Sequence, residues 1–165
     1  MSWVAVAILG FVTLQRLAEL QLAQRNSQRL LAEGAKEYGR GHYAFIVALH
    51  MAWLAALCWW APGRPVSLPL LALFALLQLG RVWVIGTLGE RWTTRVIVKP
   101  GERLVRTGPY RWLSHPNYLI VTAEIALLPL VFGLWEIAAV FSLLNAIILT
   151  IRIRAENTAL HSLRG

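Results

Sequence analysis

The sequence predicts an all-α fold, a polytopic membrane helix bundle. Three observations carry that expectation. Several apolar stretches approach the ~20 residues that a helix needs to cross a hydrocarbon core. The apolar fraction is 58% and the mean hydropathy +0.57, too high for a soluble domain of this size. Basic residues also cluster in alternate connections between the apolar stretches. At 165 residues the chain has room for one domain. We divide it into three N-terminal spans over 1–88, then a cytosolic loop, two further helices and a C-terminal extension over 89–165.

The first span runs from Trp3 to about Leu22. It lacks a basic n-region and a small-residue cleavage site, so it reads as a retained helix rather than a signal peptide. Arg16 and Glu19, three apart, can pair on one face, and a packing role suffices for them. The second span, Tyr43 to Trp60, opens with His42 and Tyr43. His50 lies two turns beyond Tyr43 on the same face, and hydrogen bonding or packing is the expected role. Pro62-Gly63-Arg64-Pro65 makes a tight turn into the third span, Val66 to about Leu88. Arg81 lies late in that span, close enough to the inner face to snorkel.

The stretch 89–113 is polar. Val96-Ile97-Val98, the turn Lys99-Pro100-Gly101-Glu102 and Leu104-Val105 suggest a short hairpin or an extended arm over the cytoplasmic mouth. Gly108-Pro109 is a second turn. A fourth span from about Pro116 to Phe132 and a fifth from Leu134 to Ile151 are joined by little more than Gly133, so they read as a helical hairpin.

The net charge is +8, but its distribution is not that of a nucleic-acid binder. Arg25, Arg29, Lys36 and Arg40 occupy the first connection. Arg91, Arg95, Lys99, Arg103, Arg106 and Arg111 occupy the third, and Arg152, Arg154 and Arg164 the C-terminal end. The second connection holds only Arg64 and the fourth no basic residue. This positive-inside alternation places the N-terminus outside and the C-terminus in the cytoplasm after five crossings. The basic excess then serves topology and contact with anionic headgroups of membrane lipids. Trp3, Trp59, Trp60 and Trp135 fall at outer ends, Trp92 and Trp112 on the inner side. The single Cys58 permits no intramolecular disulfide and no thiolate cluster, and no metal site is expected.

Chemistry concentrates in two places. In Gly108-Pro-Tyr-Arg-Trp-Leu-Ser-His-Pro-Asn-Tyr118, Pro116 suits the first turn of a helix capped by Ser114 or His115. The positive end of that helix would favour an anionic group, with His115, Asn117 and Tyr118 around it. A capped helix start with interfacial aromatics is the plainer reading, and both stay open. Glu124, seven residues after Asn117 on the same face, should turn into the bundle. It either pairs with an arginine such as Arg81 or lines a polar pocket. Near the C-terminus Arg152 and Glu156 share a face at i,i+4. They form either a surface ion pair, worth under about 1 kcal/mol, or complementary charges for a zwitterionic ligand.

The blocks Leu104-Val105-Arg-Thr-Gly108-Pro-Tyr110-Arg, His115-Pro-Asn-Tyr118, and Arg152-Ile153 followed by Glu156 and Leu160 resemble the isoprenylcysteine carboxyl methyltransferase family, integral membrane enzymes that use S-adenosylmethionine. Gln15-Arg16, Glu19-Leu20, Gly34-Ala35, Glu37, Gly39 and His42-Tyr43 look like a bacterial branch associated with methylating long-chain polyketides such as alkylpyrones. The resemblance implies that Glu102, Arg103, Leu104, Val105, Tyr110, His115, Pro116, Asn117, Tyr118 and Glu156 surround the cofactor. It implies that Arg152 faces the substrate as the catalytic residue; Glu124 is a further substrate-side candidate. The family usually has arginine, glycine and glutamate where this chain has Ser114, Ile120 and Asn157.

The implied reaction moves a methyl group to the carboxylate or acidic enol oxygen of a lipophilic or lipidated acceptor at the cytoplasmic face. Phospholipid N-methylation, a nicotinamide-dependent sterol-type reduction and a non-catalytic transporter or assembly protein are the alternatives. Oligomeric state is not set by the sequence.

Overall fold

A computed structural model of the chain describes residues 3–161, with side chains up to Ala159. Arg164 and the side chain of Leu160, both used above, lie outside the described residues. The order of elements is α1 (Trp3–Ala32), β1 (Lys36–Tyr38), α2 (Arg40–Trp60), α3 (Leu68–Leu88), β2 (Val96–Val98), α4 (Pro116–Val131) and α5 (Trp135–His161). Short 3-10 turns at Gly89–Arg91 and Gly108–Arg111 flank the polar stretch. The molecule is an all-α membrane bundle with a minor two-stranded sheet.

Four helices, α1, α2, α3 and α5, are long and apolar enough to cross a membrane. The fourth in sequence, α4, has 16 residues, about 24 Å at 1.5 Å per residue, and is shorter than the other four. It is also the most enclosed: Ile120, Ile125, Leu127, Leu128 and Val131 are all buried. Its first residue is Pro116, which needs no amide partner there. Its end is set by Gly133 at φ +68°, where the amides of Gly133 and Leu134 bond the carbonyls of Leu130 and Pro129, both at 3.0 Å. A glycine tolerates that left-handed turn without a Cβ clash. The chain then reverses into α5, giving the expected hairpin.

The apolar core sits towards the opposite end of the bundle from the polar stretch. Ala5, Leu9 and Val12 of α1 meet Trp53 and Leu57 of α2, Phe74 of α3 and the inner face of α4. The Trp53 indole N–H donates to the Ile125 carbonyl at 3.2 Å. Outward positions such as Phe11, Leu14, Leu76, Leu79, Leu143 and Ile147 are exposed and apolar, as surfaces in contact with lipid should be.

Three sequence expectations change. Helix α1 does not stop near Leu22 but runs to Ala32. The added residues are polar yet good helix formers, so the helix continues out of its apolar zone. Second, β2 does not pair with Leu104-Val105. It pairs antiparallel with β1, Lys36 opposite Val98 and Tyr38 opposite Val96. That partner wins because Val96 and Val98 can then bury against Ala159 of α5 with Tyr38 packed beside them. Third, Arg81 does not snorkel. It is 6% exposed and turns inward, because carboxylates on two neighbouring helices stand within its reach.

Those carboxylates are Glu19 and Glu124. Arg81 grips Glu19 with two bonds of 2.6 and 2.7 Å and Glu124 with one of 2.9 Å. Arg16 reaches Glu19 at 2.9 Å and Glu124 at 2.8 Å. Gln78 donates to Glu124 at 2.8 Å, and Gln15 donates to Gln78 at 2.9 Å. Two cations and two anions thus close a neutral cluster that joins α1, α3 and α4. Among the described residues His50 bonds only the Ile46 carbonyl of its own helix, at 2.8 Å, in keeping with a packing or hydrogen-bonding role.

Candidate functional site

One end of the bundle gathers the last turns of α1, α3 and α5 and the first turns of α2 and α4. There β2 and the segment 99–115 enclose a cavity of about 1010 Å³. Each wall has a local cause. Gly108, at φ +54°, lets the Gly108–Arg111 turn lie directly on α3, where an added Cβ would stand 2.6 Å from Thr87 Oγ1. Tyr110 follows in that turn and points into the cavity. Helix α4 then starts at Pro116 and presents Asn117 and Tyr118.

Tyr118 is the hub. Its hydroxyl donates to Glu156 Oε2 and accepts from Arg152 Nε at 2.8 Å. The Arg152 guanidinium also lies 5.2 Å from the Tyr118 ring centroid, a cation–π distance. The His115 ring also stacks on Tyr118, at 5.2 Å and 16°. His115 Nδ1 is 3.7 Å from Glu156 Oε1. Arg152 Nη2 donates to the Thr94 carbonyl at 2.7 Å. Arg152 and Glu156 therefore do not make the simple i,i+4 surface pair. Both reach across to α4, and a phenol stands between them. His115 does occupy the N-cap position of α4, but its side chain makes no capping bond; it stacks on Tyr118 instead.

The electrostatics are mixed. Burial, and then the nearby Glu156 charge, push the Tyr110 phenol well above its usual range. Tyr110 is therefore a neutral hydroxyl under all ordinary conditions. Lys99 lines the cavity, and its ammonium at 2.6 Å holds the Glu33 carboxyl below its ordinary value. Asn117 Oδ1 and Trp92 Nε1 are buried without a hydrogen-bond partner among the described residues. An unpaired buried carbonyl oxygen is costly, and both residues belong to the cavity wall.

Of the residues singled out in the sequence, Glu102, Arg103, Leu104, Val105, Tyr110, His115, Asn117, Tyr118, Arg152 and Glu156 line this one cavity. Pro116 is buried behind the wall. Glu124 is not in the wall: of its two open readings, ion pairing is the one observed.

Tyr43 was expected to pack or hydrogen-bond; Arg91 and Asn26 were not anticipated as contributors. Arg91 clamps the 102–103 segment through Glu102 at 2.7 Å and the Arg103 carbonyl at 2.9 Å. Asn26 of α1 donates to the carbonyls of Gly89 and Trp92, at 3.2 and 2.8 Å, and so fixes the turn that places Trp92. Tyr43 meets Thr94 Oγ1 at 3.0 Å, beside the carbonyl that anchors Arg152. Only the tertiary fold pairs these residues. In the sequence Arg91 is one of many loop cations and Asn26 one of many polar residues on a helix.

Residues 70–162, more than half of the chain, match the isoprenylcysteine carboxyl methyltransferase (ICMT) family. The chain belongs to this family. The matched region contains both blocks that converge on the Tyr118 hydroxyl. A Bacillus subtilis (strain 168) protein, YpbQ, is 37% identical over 97% of this chain and 96% of its own length. A Haemophilus influenzae protein is 26% identical over 90% of each chain. Both relatives bear the name uncharacterized protein. No solved structure matches the chain. Family membership and the four long apolar helices make this ICMT-family chain an integral membrane methyltransferase.

Proposed function

We propose that the chain is an S-adenosylmethionine-dependent O-methyltransferase that acts on a lipophilic acceptor at the cytoplasmic face of the membrane. The methylated atom is a carboxylate or acidic enol oxygen, as in long-chain polyketide acids and enols. The observation that carries this reading is the convergence of His115, Tyr118, Arg152 and Glu156 on one wall of a large cavity, in a family of membrane methyltransferases. The excess of basic residues at the cavity end supports a cytoplasmic location for it, with the N-terminus on the other side.

The residues present suit the cofactor. Glu156 offers a carboxylate to an ammonium, and the unpaired Asn117 Oδ1 offers an acceptor to an N–H. Tyr110, His115, Tyr118 and the segment 102–105 supply aromatic and apolar walls. When bound, the sulfonium supplies an electrophilic methyl group. A typical pocket for one small ligand spans about 300–1,000 Å³, so a cavity of about 1010 Å³ stands at the top of that range.

Alignment is then the main task of the protein. Arg152 is held by Tyr118 and the Thr94 carbonyl, and its Nη1, which has no partner among the described residues, can position an acceptor oxyanion. A carboxylate or acidic enol is already ionised near neutral pH, so no strong base is needed. Too firm a grip would stabilise the ground state and gain no rate. An arginine facing the acceptor suits an anion better than an amine, which favours O- over N-methylation. The test is mass spectrometry of lipid extracts from cells with and without the gene. The reading predicts a lipid heavier by one methyl group only when the gene is present. No such shift, with the protein expressed and purified labelled cofactor supplied to the membranes, contradicts it.

A further inference from the structure

The segment 106–113 carries two features that the methyl-transfer reading does not use. Arg106 and Arg111 line the mouth of the cavity and are exposed. Their guanidinium groups have no ion pair or hydrogen bond among the described residues. Immediately after Arg111 the chain exposes Trp112 (69%) and Leu113 (45%). The segment is not a loose loop. Gly108 seats it on Thr87 and Trp83 of α3, and Trp112 meets Trp83 edge to face at 6.2 Å. It lies where α3 ends and α4 begins, the level of the membrane–water boundary. Tryptophan and leucine turned outward with arginines beside them match that boundary, rings among the acyl carbonyls and cations among the phosphates.

The charge of the cavity gives this placement a consequence. Basic residues dominate its lining, and among the described residues only Glu102 and Glu156 contribute carboxylates to it. Arg91, Arg95 and Lys99 are paired with Glu102, Glu37 and Glu33, which leaves Arg103, Arg106, Arg111 and Arg152 as lining cations with no carboxylate partner among the described residues. The proposed cofactor carries a net positive charge, so the surrounding cations oppose its entry. We propose that Arg106 and Arg111 form a headgroup site for anionic phospholipid. Occupation of that site neutralises the mouth and strengthens binding of the cationic cofactor. The partner is the anionic bilayer surface itself, held by phosphate–guanidinium pairing and by Trp112 and Leu113 below the headgroups. The effect on cofactor affinity rests on the methyl-transfer reading; the headgroup site does not.

The test uses the full chain in nanodiscs and has two arms. In the first, without cofactor, spin-labelled phosphatidylglycerol and phosphatidylcholine are compared for the fraction immobilised by the protein. The site predicts a clear preference for phosphatidylglycerol that Arg106→Gln/Arg111→Gln removes. Equal immobilisation of the two lipids, or a preference that the double variant keeps, overturns it. In the second arm, labelled S-adenosylmethionine is titrated into discs of phosphatidylcholine alone or with phosphatidylglycerol. Binding is expected to be about three- to ten-fold tighter with the anionic lipid, with the gain lost in 1 M salt, where the Debye length falls to about 3 Å. Equal affinity in the two discs overturns the coupling. So does an equal gain from soluble glycerol phosphate added to phosphatidylcholine discs, which would point to a free anion rather than the membrane. Absence of cofactor binding in both discs, with the lipid preference intact, refutes the methyl-transfer reading and leaves the headgroup site standing.

Discussion

The Tyr118 hydroxyl joins two oppositely charged groups, as donor to Glu156 and acceptor from Arg152. Removing it leaves a guanidinium and a carboxylate that share a helix face with nothing between them. Hydrogen bonds to charged groups contribute about 1.5–3 kcal/mol, so Tyr118→Phe should lower kcat/KM for methyl transfer by roughly 10- to 150-fold. Because the ring stays to stack on His115, the fold should survive. Steady-state kinetics in detergent would check this, and an unchanged kcat/KM would show the phenol to be incidental. Arg152 is held through Nε and Nη2 in a fork that lysine cannot reproduce. The pieces of this hub were visible in the sequence, His115-Pro-Asn-Tyr118 at a helix start and Arg152/Glu156 at i,i+4. Their connection through a phenol was not. Local spacing suggests that two residues four apart pair with each other, and only the fold shows a third residue 34 positions away from Arg152 taking both bonds.

At the scale of elements, the neutral cluster of Arg16, Glu19, Arg81 and Glu124 holds α4 against α1 and α3, two turns below Tyr118. Removing one partner from a buried pair leaves an unpaired charge and costs about 3–5 kcal/mol. Glu124→Gln should therefore destabilise the protein by roughly that amount, since two arginines would then share one carboxylate. Arg16→Gln together with Glu124→Gln restores neutrality and leaves the two-bond Arg81–Glu19 pair intact, so the double variant should be more stable than Glu124→Gln alone. Thermal unfolding in detergent compares the two. A double variant less stable than the single one would mean that packing, not charge balance, governs the cluster. Arg16 and Glu19 are neighbours on one helix, so their pairing was legible. The Arg81–Glu124 pair was one of the two readings open for Glu124, but the two-bond grip of Arg81 on Glu19 was not legible, because it depends on how three helices slide past one another. The β1–β2 pairing was hidden for a similar reason. Lys36-Glu37-Tyr38 has no apolar alternation, and it becomes a strand only because β2 and α5 offer it a partner.

The whole molecule separates its tasks along its length. One end is an apolar core of closely packed helices, and the other is a polar cavity built on the α4–α5 hairpin and closed by a two-stranded sheet. The apolar spans and the hairpin followed from composition and hydropathy, and part of the cavity wall from motif. Helix α4 is shorter than the other spans because a proline and a glycine bound it. The basic cavity end should face the cytoplasm. In a chain with Cys58→Ser and Arg64→Cys, a membrane-impermeant maleimide should label residue 64 in intact spheroplasts without lysis. Labelling only after lysis would invert the orientation. The wall of His115, Tyr118 and Glu156 is the proposed site for S-adenosylmethionine. Equilibrium binding of the labelled cofactor to purified wild-type protein and to Glu156→Gln tests it most directly. Saturable binding that weakens by roughly 10-fold or more in the variant is the result expected; no saturable binding to the wild type, or equal binding by both proteins, would contradict it.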